Sequence, residues 1–144
     1  MRYKPNTQLV AEFMKAFGQS VSQGWDNPHV VELGMKLIEE ECKELRDEAD
    51  AVVKAHFAPK YCNHELIRTH FIKELADLEF VIHWMAAAIG IDLDSAVREV
   101  WQSNMSKLGE DGLPIYREDG KVLKGPNYHE PDLSHVLKFV PIAL

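Results

Sequence analysis

The pattern of apolar and polar positions along the chain predicts four helices, because apolar residues recur every three or four positions over four stretches. These stretches are Thr7–Phe17, a long one from Asn27 and Pro28 to about Ala55, His64–Ala88, and a last one that starts at Asp92 or Asp94 and reaches Leu108. Good N-cap residues precede them, namely Asn6 or Thr7, Asn27, and Asp92 or Asp94. Gly18 and Gly90 follow two predicted helix ends. Short connections between helices indicate an antiparallel bundle, so the predicted fold class is all-α.

The character of the chain changes after Gly109, where regular periodicity stops. Asp111-Gly112 and Asp119-Gly120 are turn dipeptides, and the second separates two short β-like segments in the manner of a small hairpin, Ile115–Arg117 and Lys121–Leu123. We expect one domain over residues 1–144, with an irregular tail at 109–144 that closes over a functional site.

Each predicted helix has an apolar side that we expect to face the bundle. On the first helix this side is Leu9, Phe13, Ala16 and Phe17, and on the fourth it is Val97, Val100, Trp101, Met105 and Leu108. On the third it is Leu78, Val81, Trp84, Met85 and Ala88, a surface that is apolar enough to bury.

Acidic residues lie within the apolar stripes of the second and third helices. Glu41 is four residues from both Leu37 and Leu45, so it shares their face, and Glu44 flanks it at i+3. The same spacing places Glu74 and Asp77 on the inner face of the third helix. Glu39, Glu40 and Glu48, taken singly, are typical of solvated helix faces.

Buried carboxylates need a cation, because an isolated one costs several kcal/mol and four together also repel one another. The nearby basic residues Lys43, Arg46 and Lys73 are expected to point away from the inner faces. A hard divalent ion therefore fits best, and Mg²⁺ combines carboxylates with substrate phosphates, with Mn²⁺ as a substitute. A di-iron centre requires Glu-x-x-His twice, and the sequence contains none.

Composition narrows the class of protein further. The 144 residues carry a formal net charge of -7, which argues against nucleic-acid binding because phosphate backbones are bound by clustered Lys and Arg. Cys42 and Cys62 lack CxxC spacing, and the first residues lack the apolar stretch of a signal peptide. We expect a cytoplasmic protein without a membrane span.

Two strings carry a resemblance to a known family. Glu40-Glu41-Cys42-Lys43-Glu44 and Glu74-Leu75-Ala76-Asp77 resemble the EExxE and ExxD motifs of the MazG-like all-α nucleoside triphosphate pyrophosphohydrolases. Asn104-Met105-Ser106-Lys107, followed by Asp119-Gly120-Lys121 and Leu123-Lys124, is similar to the branch that acts on dUTP and related deoxynucleotides. The resemblance covers most of residues 30–130.

The resemblance implies Mg²⁺-dependent hydrolysis of a nucleoside triphosphate to the monophosphate and pyrophosphate. The metal ligands would be Glu41, Glu44, Glu74 and Asp77. Glu40 would be the candidate general base, because it borders the acidic face and could deprotonate the attacking water. The residues that would bind the substrate's phosphates are Asn104, Lys107, Lys121 and Lys124.

Alternatives remain at this point. Phosphoribosyl-ATP pyrophosphohydrolase of histidine biosynthesis shares the helical plan and the chemistry, and a non-catalytic helical module that binds nucleotide or metal is a different class of protein. The long gap between Glu44 and Glu74 departs from the family pattern, and no motif identifies the nucleobase. Bundles of this size also associate, so a homodimer or homotetramer is expected. No histidine is interpreted as a zinc ligand, and His83 is expected to pack inside.

Overall fold

A computed structural model describes residues 4–136, and this part of the chain is all-α, as predicted. Its helices are α1 (Asn6–Ala16), α2 (Pro28–Phe57), α3 (His64–Ile89) and α4 (Leu93–Met105), with a 3₁₀ turn at Pro59–Tyr61. The predicted helix ends lie within three residues of the observed ones. Residues 4–91 and 92–136 form two compact units. The single domain over 1–144 stays a prediction, and residues 137–144 lie outside the described part of the tail.

The core of the first unit lies where α1, the start of α2 and the end of α3 meet. It is built from Val10, Ala11 and Met14, from Val30, and from Ala87, Ala88 and Ile89, with Trp84 and Met85 packed against it. α2 approaches α3 closely at Gly34, where a Cβ would lie 2.7 Å from Met85 Cγ and Sδ. The expected inner face of α3 is therefore confirmed as buried or partly buried.

The predicted buried face of α1 is wrong by one residue along the helix. Leu9 and Phe17 are 47% and 69% exposed, whereas the core is formed by Val10 and Met14. Both neighbouring stripes of α1 are apolar, so periodicity alone could not choose between them. The stripe of smaller residues packs against the alanines of α3, and Phe13 instead contacts the rings of Phe17 and Phe80 at 4.5 and 5.1 Å between centroids.

The loop between α1 and α2 is fixed to the end of α3 by backbone hydrogen bonds. The amides of Ser22, Gln23 and Gly24 donate to the carbonyls of Ala87, Ala88 and Ile89 at 2.8–2.9 Å. A helix end leaves its last carbonyls without intrahelical partners, and this loop supplies them. Gly90 ends α3 in the left-handed region, with φ of 100°, as its position predicts.

The N-cap predictions have mixed outcomes. Asp92 caps α4, since its carboxylate accepts from the Ser95 amide at 3.1 Å. Asn27 occupies the cap position of α2 but makes no side-chain cap hydrogen bond. Asn6 and Thr7 lie inside α1, so the prediction for α1 is wrong; Thr7 is buried and its hydroxyl pairs with His83 Nδ1 at 2.8 Å. A tertiary contact with α3, which the local sequence does not show, takes the hydroxyl.

The second unit combines α4 with the start of the tail. The predicted hairpin is confirmed by an antiparallel bridge between Tyr116 and Val122. The predicted inner side of α4 is wrong for the single chain, because Val97, Val100, Trp101 and Met105 are exposed. The buried residue of α4 is Ser103, whose hydroxyl donates to the His129 carbonyl at 2.8 Å. The tail thus packs on α4 through polar contacts, which hydrophobic periodicity does not register.

No single helix of the described residues is long and apolar enough to cross a membrane. α3 and α4 reach the length and composition of a membrane span only when they are taken as a pair. Both cysteines are free thiols. The cytoplasmic location stays a prediction.

The contact between α2 and α3 at Gly34 leads to a test of packing. Gly34→Ala gains about 1 kcal/mol of helix propensity, but the new methyl group overlaps Met85, and overpacking costs about 1–3 kcal/mol. We expect a net loss of stability in urea unfolding. In Gly34→Ala/Met85→Ala the clash is absent, so the double variant should lose less than the sum of the single variants. Additive losses would contradict the close approach.

Candidate active site

Three glutamates from two helices converge at one point. α2 contributes Glu41 and Glu44, and α3 contributes Glu74; one oxygen of each lies within 4.8 Å of the others. Opposite ligands of an octahedral Mg²⁺ are about 4.2 Å apart, because each Mg–O distance is about 2.1 Å. The three oxygens, which lie within 4.8 Å of one another, are thus close to the spacing at which they could hold one hard divalent cation. Three of the four predicted metal ligands are brought together by the fold.

The glutamates differ in burial. Glu74 is 8% exposed, Glu41 is partly buried, and Glu44 is exposed. The expectation that Glu74 points inward is confirmed. The cluster therefore has a buried side on α3 and an open side at Glu44, through which water and a polar ligand can enter.

The shared charge changes the ionisation of Glu41. Burial raises its pKa above the ordinary 4.5, and the charges of Glu44, Asp77 and Glu74 raise it further, while Lys73 opposes the shift. Asp77 thus acts on Glu41 electrostatically, although it lies outside the group of three converging oxygens. The fourth predicted ligand belongs to the same electrostatic cluster, which we call the acidic quartet: Glu41, Glu44, Glu74 and Asp77.

Lys73 contacts this quartet, contrary to the prediction that it points away. Its Nζ lies 2.9 and 3.0 Å from the two Glu74 carboxylate oxygens and 2.7 Å from Asp77 Oδ2. These hydrogen bonds, to Asp77 first, raise the Lys73 pKa. A helical wheel gives only the direction of each Cβ, so it could not predict this contact. The flexible lysine side chain brings its ammonium group to a neighbouring face of the helix. The i, i+4 spacing to Asp77 was the available signal.

Glu40, the candidate base, lies on α2 next to Glu41 and is exposed. Among the residues that the structure describes, the converging group of three does not include Glu40. Its catalytic role stays a prediction.

The predicted phosphate-binding residues all belong to the second unit. Lys107 Nζ donates to Asn104 Oδ1 at 2.6 Å, so these two side chains contact each other. Lys121 is exposed on the hairpin, and Lys124 Nζ lies 4.0 Å from the centre of the Tyr128 ring. Their binding of substrate stays a prediction.

The buried histidine of α3 has a structural environment, as expected. His83 is 7% exposed and pairs with the Thr7 hydroxyl, and its Nε2 lies 3.8 Å from Glu79 Oε1. The His83 side chain of α3 therefore packs against α1.

Residues 10–104 of the chain match the protein family described as phosphoribosyl-ATP pyrophosphohydrolase. The matched segment includes α2, α3 and the whole acidic quartet. No curated protein matches the chain.

The raised pKa of Glu41 predicts a pH-dependent gain on its neutralisation. When the pKa of a carboxyl group is higher in the folded than in the unfolded state, the protein loses stability as pH rises through the folded-state pKa. In EDTA, Glu41→Gln should therefore melt at a higher temperature than the parent protein at pH 7, and the difference should shrink near pH 4. Glu39→Gln, an exposed change of the same charge on α2, is the control. Equal shifts in the two variants would refute the assignment.

Proposed function

Because the chain belongs to the phosphoribosyl-ATP pyrophosphohydrolase family over most of its length, we propose that it hydrolyses phosphoribosyl-ATP. It is an enzyme of the class that cleaves phosphoric anhydrides, with pyrophosphohydrolase activity on a nucleotide. Water would attack the phosphoanhydride, the anhydride bond would break, and pyrophosphate would leave. The family match is the observation that supports this substrate.

The resemblance to the MazG-like all-α superfamily is confirmed, since the matched family is part of it. The family match does not confirm the finer resemblance to the dUTP branch. The family is one of enzymes, which disfavours the non-catalytic module.

We propose that the acidic quartet holds Mg²⁺, or Mn²⁺ in its place. The fit rests on the donor set, since all four groups are carboxylates and three of them present oxygens within 4.8 Å of one another. When bound, the ion would neutralise phosphate charge and activate water. Glu74, the buried member, would hold its carboxylate in a fixed position, and Glu44 would form the open edge.

The remaining roles fall to residues around the quartet. Glu40 would accept a proton from the attacking water, because it adjoins the acidic face of α2. Asn104 and Lys107, which already contact each other at 2.6 Å, would bind phosphate oxygens. Lys121 and Lys124 would add positive charge for the binding of the substrate's phosphates.

A second candidate substrate is dUTP or a related deoxynucleotide. The specific observation is that the family match ends at residue 104, whereas Lys107, Lys121 and Lys124 lie beyond it. Together with Asn104, the last residue of the match, they carry the resemblance to the dUTP branch.

We also propose that the enzyme works as a homodimer or homotetramer. Large apolar side chains of the first unit are exposed in the single chain, among them Leu33 on α2 at 48%, Phe57 at 80% and Ile72 on α3 at 65%. Apolar surface of this kind is commonly covered by association. The expected partners are the nucleotide and further copies of this chain, without nucleic acid or membrane.

Removing one buried ligand tests the metal assignment. Glu74→Gln keeps the shape of the side chain but removes the charge. We expect turnover to fall by at least the roughly 10- to 100-fold that follows loss of a group supporting a metal ligand, with the helical circular dichroism unchanged. Glu39→Gln is the exposed control. Full activity in Glu74→Gln would sink the assignment.

A substrate panel tests the proposed reaction. Pyrophosphate release would be measured with phosphoribosyl-ATP, dUTP, dCTP and ATP, each with Mg²⁺ and again with EDTA. We expect fastest release from phosphoribosyl-ATP and none with chelator. Preference for dUTP would establish the second candidate, and no release from any nucleotide would contradict the proposed function.

A further inference from the structure

The ammonium group of Lys73 occupies space that the metal site needs. It lies 2.9 and 3.0 Å from both oxygens of Glu74 and 2.7 Å from Asp77 Oδ2. Glu74 and Asp77 are two of the four predicted ligands, and one of them is buried. Among the ion pairs of residues 4–136, Lys73 is the cation that contacts the quartet, so the ammonium provides its local counter-charge.

A divalent cation and this ammonium would compete for the same oxygens. Mg²⁺ binds carboxylate oxygens at about 2.1 Å and requires their lone pairs, while Lys73 donates hydrogen bonds to them. An ammonium left in place would also stand within a few ångströms of the ion and be repelled. The Lys73 side chain is 59% exposed, so its stem has room to move aside.

The displaced ammonium would find a new anion at the same place. Substrate phosphates that shared the cation with Glu74 and Asp77 would lie close to those carboxylates, within the reach of a flexible four-carbon stem. Because the protein carries a formal net charge of -7, a nearby cation would reduce the electrostatic repulsion of a polyphosphate ligand.

We propose that Lys73 is an exchangeable counter-cation of the active site. Its ammonium holds Glu74 and Asp77 before the divalent cation binds, and it turns to the phosphate oxygens of the substrate afterwards. The inference rests on the proposed function for the identity of both ligands. It assigns Lys73 two effects of opposite sign, hindrance of metal binding and support of phosphate binding.

The first effect is measured by titrating the full chain with Mn²⁺ and following free Mn²⁺ by electron paramagnetic resonance. Lys73→Met should bind Mn²⁺ about fivefold more tightly than the parent, the scale of an exposed ion pair. Lys73→Arg should restore the weaker binding. Lys43→Met removes an equal charge from an exposed position on α2 and should change the affinity little. Unchanged or weaker binding by Lys73→Met, or no binding of Mn²⁺ by the parent, would overturn the proposal.

The second effect is measured by calorimetric titration of the Mg²⁺-loaded chain with inorganic pyrophosphate. Lys73→Met should bind pyrophosphate about fivefold more weakly, although its metal site binds more tightly. Equal pyrophosphate affinity in the two proteins would overturn the transfer to phosphate. Neither titration depends on turnover, so a chain that binds Mn²⁺ and pyrophosphate but hydrolyses no nucleotide would contradict the proposed function and leave this inference to be decided by the two affinities.

Discussion

Repulsion among carboxylates on α2 and α3 is the constraint around which the first unit is organised. Glu41, Glu44 and Glu74 present oxygens within 4.8 Å of one another, and burial together with this shared charge raises the pKa of Glu41. Such an arrangement persists only if a cation compensates it or if packing elsewhere holds the helices together. Both conditions are met here, by Lys73 and by the contact between Gly34 and Met85.

The apolar core and the acidic quartet lie at different positions along α2 and α3. The core is formed by the end of α3, at Ala87–Ile89, and by the start of α2 at Val30. Ala87 is thirteen positions after Glu74, which is about 20 Å along a helix. The loop hydrogen-bonded to the last carbonyls of α3 adds to the stability of that end. The middle stretches of α2 and α3 can therefore carry unfavourable charge, while the start of α2 and the end of α3 supply most of the apolar burial.

Lys73 changes the interpretation of the acidic quartet. Four carboxylates in apolar stripes suggested that only a divalent ion could balance them, yet an ammonium already contacts Glu74 and Asp77. This contact does not weaken the case for a metal, because one positive charge is fewer than the quartet carries. At the proposed metal site, binding of the ion would therefore be an exchange of cations, and the energy of that exchange would set the metal affinity.

The sequence by itself determined the four helices, the two ends of α3, the start of α4, the small hairpin and the inward position of Glu74, because these follow from local periodicity, cap and turn chemistry, and i, i+3 spacing. Only the tertiary structure decided which of two apolar stripes on α1 is buried, that Thr7 pairs with His83, that α4 buries Ser103, and that Lys73 reaches the quartet. Each of these depends on what lies opposite in space. A helical wheel gives the direction of a side chain but neither its neighbour nor the reach of a flexible stem.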